Sequence, residues 1–296
     1  MSSRRDEIPP EVLAGLSEKT RACLDRLRRH TPDSLDLRGT RAQRTRSRSR
    51  SGRRYGSDRE PTCRPDVSHT RRAAVLLLLF EREGKLRVLL TTRSQKLRSH
   101  PGQTALPGGK VDDTDADAEH TARREAFEEV GLPIDSPHVH HLCRLRTFLS
   151  ASRLHVTPVV VFLSDPSLLE HLNKNAEEVD CIFDWPFEAI LDPELLREEE
   201  ETLVPRGSEH WFYDKEFHTI NDVPLDWLGG THYRNHRFRS SASPVKGLTA
   251  DILIVAAQIA YDRPASFEPY APDQLFGVDA VSYVQQPQTK QKDIGA

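Results

Sequence analysis

An unbroken apolar run, Ala73-Ala74-Val75-Leu76-Leu77-Leu78-Leu79-Phe80, has the length of a strand buried on both faces at the centre of a sheet. Glu83-Gly84 reads as a turn and Leu86 to Thr92 as the next strand. Two further β-rich stretches follow, Leu154 to Leu163 and the short Asp180-Cys181-Ile182-Phe183. Spacing and composition predict helices over Asp117 to Val130 and over Lys246 to Tyr261, the second rich in Ala, Ile and Leu. Near the N-terminus Val12, Leu13, Leu16, Cys23, Leu24 and Leu27 recur at helical intervals within Pro10 to Arg29. One short amphipathic helix that packs on the following domain is expected there. Strands interleaved with helices set the fold class as α/β (α+β), over residues 72–265.

Composition matters mainly at the ends of the 296-residue chain. With 36% hydrophobic and 29% charged residues, it is too polar for every segment to join a core. The segment 34–71 accounts for this: its TRAQRTRSRSRSGRR repeat, Thr40 to Arg54, concentrates like charges that repel, and it is expected to be disordered. Four segments result: an N-terminal helix in 1–33, the Arg/Ser-rich 34–71, a folded domain 72–265, and a flexible tail 266–296. The net charge of -3 conceals this basic stretch and an acidic one from Glu177 to Glu201, so it says little about partners. Cys23, Cys63, Cys143 and Cys181 lack metal-site or redox spacing and read as reduced thiols, with Cys143 and Cys181 in the core. No run of about 18 apolar residues occurs, and the first residues lack a secretory apolar stretch. A soluble, intracellular protein without membrane association is expected, and the C-terminal Lys-Asp-Ile-Gly-Ala is not a peroxisomal address.

Candidate chemistry concentrates between Leu89 and Leu132. The stretch Arg124-Glu125-Ala126-Phe127-Glu128-Glu129-Val130-Gly131-Leu132 reads as the end of a helix, stopped by Gly131 and Pro133. Glu125, Glu128 and Glu129 stand at i, i+3 and i+4, so three carboxylates are expected on one face while Ala122, Ala126 and Val130 pack on a sheet. Clustered like charges are costly unless a cation neutralises them, and hard divalent ions prefer oxygen ligands. The Pro107-Gly108-Gly109 turn before the helix can approach closely and offer a carbonyl oxygen to the same ion. Such a loop and acidic helix suit cleavage of a diphosphate, in which metal ions neutralise phosphate oxygens and activate water.

These residues resemble the Nudix family signature, G-x5-E-x7-R-E-U-x-E-E-x-G-U with U aliphatic, with two departures. The sixth residue after Gly109 is Asp115 instead of Glu, and eight residues instead of seven separate it from Arg124. Both departures are shared by the coenzyme A diphosphatase-like branch. That branch is also similar upstream, in Leu90-Thr91-Thr92-Arg93-Ser94, Leu97-Arg98, His100, Gly102-Gln103 and Pro107-Gly108-Gly109. Weaker likeness continues in Val156-Thr157-Pro158-Val159, Glu178-Val179, His236-Arg237-Phe238 and Gly247 to Leu253. The resemblance implies an α/β/α sandwich with a mixed sheet and a bound Mg²⁺ or Mn²⁺. It implies that Glu125, Glu128 and Glu129 are catalytic metal ligands aided by a carbonyl of the Gly108-Gly109 turn. It further implies that Arg124 orients a neighbouring carboxylate and that Asp115 replaces the first acid. The substrate it implies is the small molecule coenzyme A or a derivative.

Each signal has a plainer reading. A row of glutamates is commonly a solvated helix face, and only its combination with PGGK and LRSHPGQ favours a site. Arg93, Arg98 and His100 are candidates for substrate phosphates, but Arg98 or His100 also fits a loop tie. Adjacent His140 and His141 point to opposite sides of a strand, which favours a structural role. The Arg/Ser run reads as a solvated linker more readily than as a nucleic-acid surface. Two rivals accompany the coenzyme A reading: a diphosphatase for oxidised nucleoside triphosphates or NADH, and an inactive scaffold whose Arg/Ser tract binds RNA or another partner.

Overall fold

A computed structural model describes residues 7–32 and 72–275. Its centre is β1, Arg72–Arg82, flanked by antiparallel β2 (Lys85–Arg93) and parallel β7 (His155–Leu163). The main sheet runs β3-β2-β1-β7-β5, with β3 at Thr104–Ala105 and β5 at Val139–Arg144. The short β4 (Gly108–Lys110) pairs with the start of β1, β6 (Phe148–Leu149) with β7, and β8 (Val179–Pro186) with β2.

Why β1 is apolar without alternation follows from its two covered faces. Ala74, Leu76, Leu78 and Phe80 meet Ala122, Ala126 and Val130 of helix α3, Ala118–Val130. Leu77 and Leu79 belong to the opposite core, with α2 (Glu18–Arg28) and α4 (Gly247–Tyr261). The result is a mixed α+β fold, an α/β/α sandwich around a mixed sheet.

Several expectations need correction. Pro10 to Arg29 forms two helices, α1 (Pro10–Gly15) and α2, because Ser17 is extended and caps α2 by accepting the Thr20 N–H. Glu81 on β1 in turn accepts from the Ser17 N–H and hydroxyl, fixing that break against the sheet. Cys181 is exposed on the edge strand β8, while Cys23 and Cys143 are buried. Residues 266–275 do not hang free: Ser266 N–H donates to Leu191 O, Pro269 O lies 2.8 Å from His236 Nε2, and the Arg234 N–H donates to Gln274 Oε1. Phe267 packs beside His218 and Phe238 and anchors that segment. The expected disorder in 34–71 and the rest of the tail lie outside the described residues.

A second, three-stranded sheet had no clear sequence signal. It contains β9 (His218–Leu225), β10 (Thr231–Phe238) and β11 (Val245–Lys246), all antiparallel. Its strand β9 is largely exposed and includes Pro224, so neither apolar alternation nor composition marks it.

Candidate active site

Helix α3 is fixed at both ends by its own sequence. Asp117 caps it by accepting the N–H groups of Glu119 and His120 at 3.0 and 2.9 Å. Gly131 ends it in the left-handed conformation, φ 74°. These ends set the rotation of the helix, so Glu125 and Glu129 turn toward the β4 turn.

Two glycines allow that turn to touch the carboxylates. At Gly109, an added Cβ would lie 2.4–2.5 Å from the carboxyl atoms of Glu125. At Gly108, a Cβ would meet Ala74 O at 2.4 Å and Val75 Cα at 2.6 Å, both main-chain atoms of β1. Pro107 O accepts the Leu76 N–H at 2.8 Å, and the Gly108 N–H donates to Glu129 Oε2 at 3.2 Å. The turn is thus bolted to both the central strand and the acidic helix.

Arg124 is held by Asp115 through a two-pronged contact: Nε donates to Oδ1 and Nη2 to Oδ2, each at 3.0 Å. The Asp115 carboxylate also accepts from the Asp112 N–H and the Thr121 hydroxyl, both at 2.8 Å. This crowd of donors, Arg124 foremost, holds its carboxyl far below the usual range. From that anchor Arg124 Nη1 reaches Glu125 Oε1 at 3.0 Å and Glu128 Oε2 at 3.1 Å.

The three glutamates do not share one environment, contrary to the expected convergence. Glu129 is buried, Glu125 is half-buried, and Glu128 is turned outward to Arg124. Among the described residues no three acidic, His or Cys side chains stand together as a ready metal cage. Glu178, in the turn before β8, adds charge beside both Glu125 and Glu129. Burial, partly offset by the Gly108 N–H and Arg93 and reinforced by Glu125 and Glu178, pushes Glu129 up to about 8. Burial also raises Glu125, against the pull of Arg124. Two crowded carboxylates that resist carrying charge have the chemistry of a divalent-cation site.

The phosphate-binding candidates separate. A register shift in the β2–β8 pairing at Thr92/Arg93 re-aims Arg93, whose Nη1 lies 3.9 Å from Glu129 Oε1. Arg98 and His100 stay exposed on the following loop, His100 at φ 54°. His140 is buried with Nε2 2.9 Å from Ser164 Oγ, and His141 pairs with Glu119 at 2.9 Å; both serve the fold. A cavity of about 160 Å³ beside α2, lined by Lys19, Cys23 and Tyr261, shares no residue with the acidic cluster.

The family model for the NUDIX domain matches residues 70–207. Over 197 residues the chain is 32% identical to the protein named peroxisomal coenzyme A diphosphatase NUDT7 of Mus musculus, covering 66% of this chain and 72% of that one. This chain belongs to the Nudix hydrolase family. It is also 39% identical over 207 residues to Nudix hydrolase 15, mitochondrial, of Arabidopsis thaliana, covering 69% of this chain and 63% of the relative. Identity is 32% over 216 residues to peroxisomal coenzyme A diphosphatase 1 of Saccharomyces cerevisiae, covering 64% and 62%. The chain therefore spans roughly three fifths of the length of the plant and yeast Nudix relatives. No described helix is long and apolar enough to cross a membrane.

Proposed function

We propose that this Nudix protein hydrolyses the internal diphosphate bond of coenzyme A or its derivatives, giving a phosphopantetheine-type product and adenosine 3′,5′-bisphosphate. The observation that carries the reading is the buried Glu129 and half-buried Glu125 pressed on the Gly108-Gly109 turn, with Arg124 locked beside them by Asp115. Similarity to two proteins named as coenzyme A diphosphatases supports the choice of substrate.

In this reading Glu125, Glu128, Glu129 and a carbonyl of the Gly108-Gly109 turn hold Mg²⁺ or Mn²⁺. When bound, the ion would neutralise diphosphate oxygens and lower the pKa of the attacking water. Arg124 keeps Glu125 and Glu128 oriented, and Arg93 adds positive charge beside Glu129 for a phosphate oxygen. A carboxylate of the cluster accepts the proton from water.

The test is cleavage by the purified protein, with Mg²⁺ or Mn²⁺, of coenzyme A, an acyl-coenzyme A, NADH and 8-oxo-dGTP, beside a Glu128→Gln control. Preferential release of adenosine 3′,5′-bisphosphate, lost in the control, is expected. Preference for NADH or 8-oxo-dGTP would reassign the substrate, and metal-independent silence on all four would favour a binding scaffold.

A further inference from the structure

We propose that Arg237, Lys246 and the first turn of α4 form a phosphate-monoester site, which in coenzyme A takes the 3′-phosphate. This assignment rests on the diphosphatase reading above and specifies how its substrate is distinguished from other diphosphates.

Arg237 on β10 stands directly opposite Lys246 on β11, so both side chains leave the same face of the second sheet. Like charges in that arrangement repel and destabilise a sheet unless something neutralises them. Among the described residues no carboxylate pairs with either cation. Arg237 donates to the amide oxygen of Asn221 and lies over the Tyr213 ring at 5.5 Å. Other arginines of the region contrast with it: Arg234, on the opposite face, is clasped by both Asp222 oxygens at 2.7 and 2.8 Å. Burial and the Arg237 charge together disfavour the charged form of Lys246, a conflict that a phosphate dianion would remove.

The same spot offers neutral donors. The 15-residue helix α4 starts immediately after Lys246 and has no side-chain cap, so its first N–H groups and positive dipole end face this region. Asn235 shares the face of Arg237, and its amide oxygen is buried without a hydrogen-bond partner. Turned over, that amide presents an N–H at the same position.

The start of α4 is also tied to β3, on the stretch of chain that leads to the Gly108-Gly109 turn. Thr249, in the first turn of α4, donates to Thr104 O at 3.2 Å, and Thr104 Oγ1 donates to Ser243 O at 2.5 Å. Thr104 begins β3 and precedes Gly109 by five residues, at most about 17 Å of extended chain. In coenzyme A the 3′-phosphate hangs on the same ribose whose 5′ carbon carries the diphosphate, so the assignment requires the two sites to lie one sugar apart, well within that limit. Dephospho-coenzyme A, NADH and 8-oxo-dGTP lack that monoester.

Two measurements test the site. One is kcat/KM for coenzyme A against dephospho-coenzyme A. The other is calorimetric binding, without metal, of adenosine 3′,5′-bisphosphate against adenosine 5′-monophosphate. Lys246→Gln and Arg237→Gln should each lower the values for the 3′-phosphorylated ligand about ten-fold, and the other ligand's by less than roughly two-fold. Lys246→Arg, which keeps the charge, should retain the preference. Lys246→Gln decides the matter if Arg237→Gln, which loses the Asn221 bond and the Tyr213 contact, does not fold. Equal losses on both ligands, or no preference for the bisphosphate in the unmodified protein, would overturn the assignment. If no form cleaves either coenzyme, the diphosphatase reading fails, while the two nucleotides still decide this site by binding.

Discussion

Gly109→Ala should separate the catalytic role of the Gly-Gly turn from its role in folding. The new Cβ would stand 2.4 Å from the Glu125 Cδ, where ordinary contact begins at 3.4 Å, so the carboxylate must retreat by about 1 Å. It can do so by rotating, because it is the end of a flexible side chain, and Gly109 itself does not require a left-handed backbone. Stability should therefore change by less than about 1 kcal/mol, the crowding being offset by the smaller entropy of the unfolded chain. A displacement of about 1 Å at a reacting centre commonly costs about 100-fold in rate. Urea denaturation and kcat/KM for coenzyme A, measured on one preparation, should show a normal midpoint with about 100-fold lower kcat/KM. Gly108→Ala makes the contrast: its Cβ meets main-chain atoms of β1 at 2.4 and 2.6 Å, and the cost should appear as several kcal/mol of lost stability. Full activity in Gly109→Ala, or a stability loss matching that of Gly108→Ala, would refute the close approach as the reason for glycine.

Asp115→Asn removes the anionic half of the Arg124 clamp; kcat should fall roughly 10–100-fold while the KM changes less, as measured by steady-state kinetics with saturating metal. The stacked pair His218 and His236 predicts a pH dependence of folding. Burial lowers both, His218 to about 3 from 6.5, so the unfolded chain binds protons in that window and the folded chain does not. Stability should then fall as pH drops below about 6.5, by at most about 1.4 kcal/mol per pH unit for each group, and His218→Gln should flatten the fall in urea titrations between pH 7 and 5. Ser17→Ala deletes the α2 cap and its Glu81 contact, and should cost about 1 kcal/mol by the same assay without altering kcat.

Where the sequence carries strong local signals, element and structure coincide. The unbroken run at β1 has two covered faces, and Asp117, Gly131 and Pro133 bound α3 through capping chemistry. The Gly108-Gly109 requirement was legible because only residues without Cβ admit so closely the main chain of β1 at the first position and a carboxylate at the second. The second sheet was not legible, because β9 is an exposed edge whose strand character comes from pairing with β10. The tail misled for a similar reason: Phe267 stands in a short Pro-containing stretch without helical or strand periodicity, yet it finds an aromatic cluster distant in sequence. For the glutamates, spacing alone was too coarse. At about 100° per residue, Glu125 and Glu129 are about 40° apart, but Glu128 lies about 100° from Glu129, enough to turn it outward once α3 seats on β1. The loops and the second sheet carry little periodic signal.

The most direct test of a cation-dependent diphosphatase is a single chromatographic measurement. Coenzyme A is incubated with the purified protein in Mn²⁺, and again after stripping with EDTA, and adenosine 3′,5′-bisphosphate is quantified. Product that forms with metal, disappears on stripping and returns on adding Mn²⁺ is the predicted result; equal product in both conditions, or none in either, would contradict it.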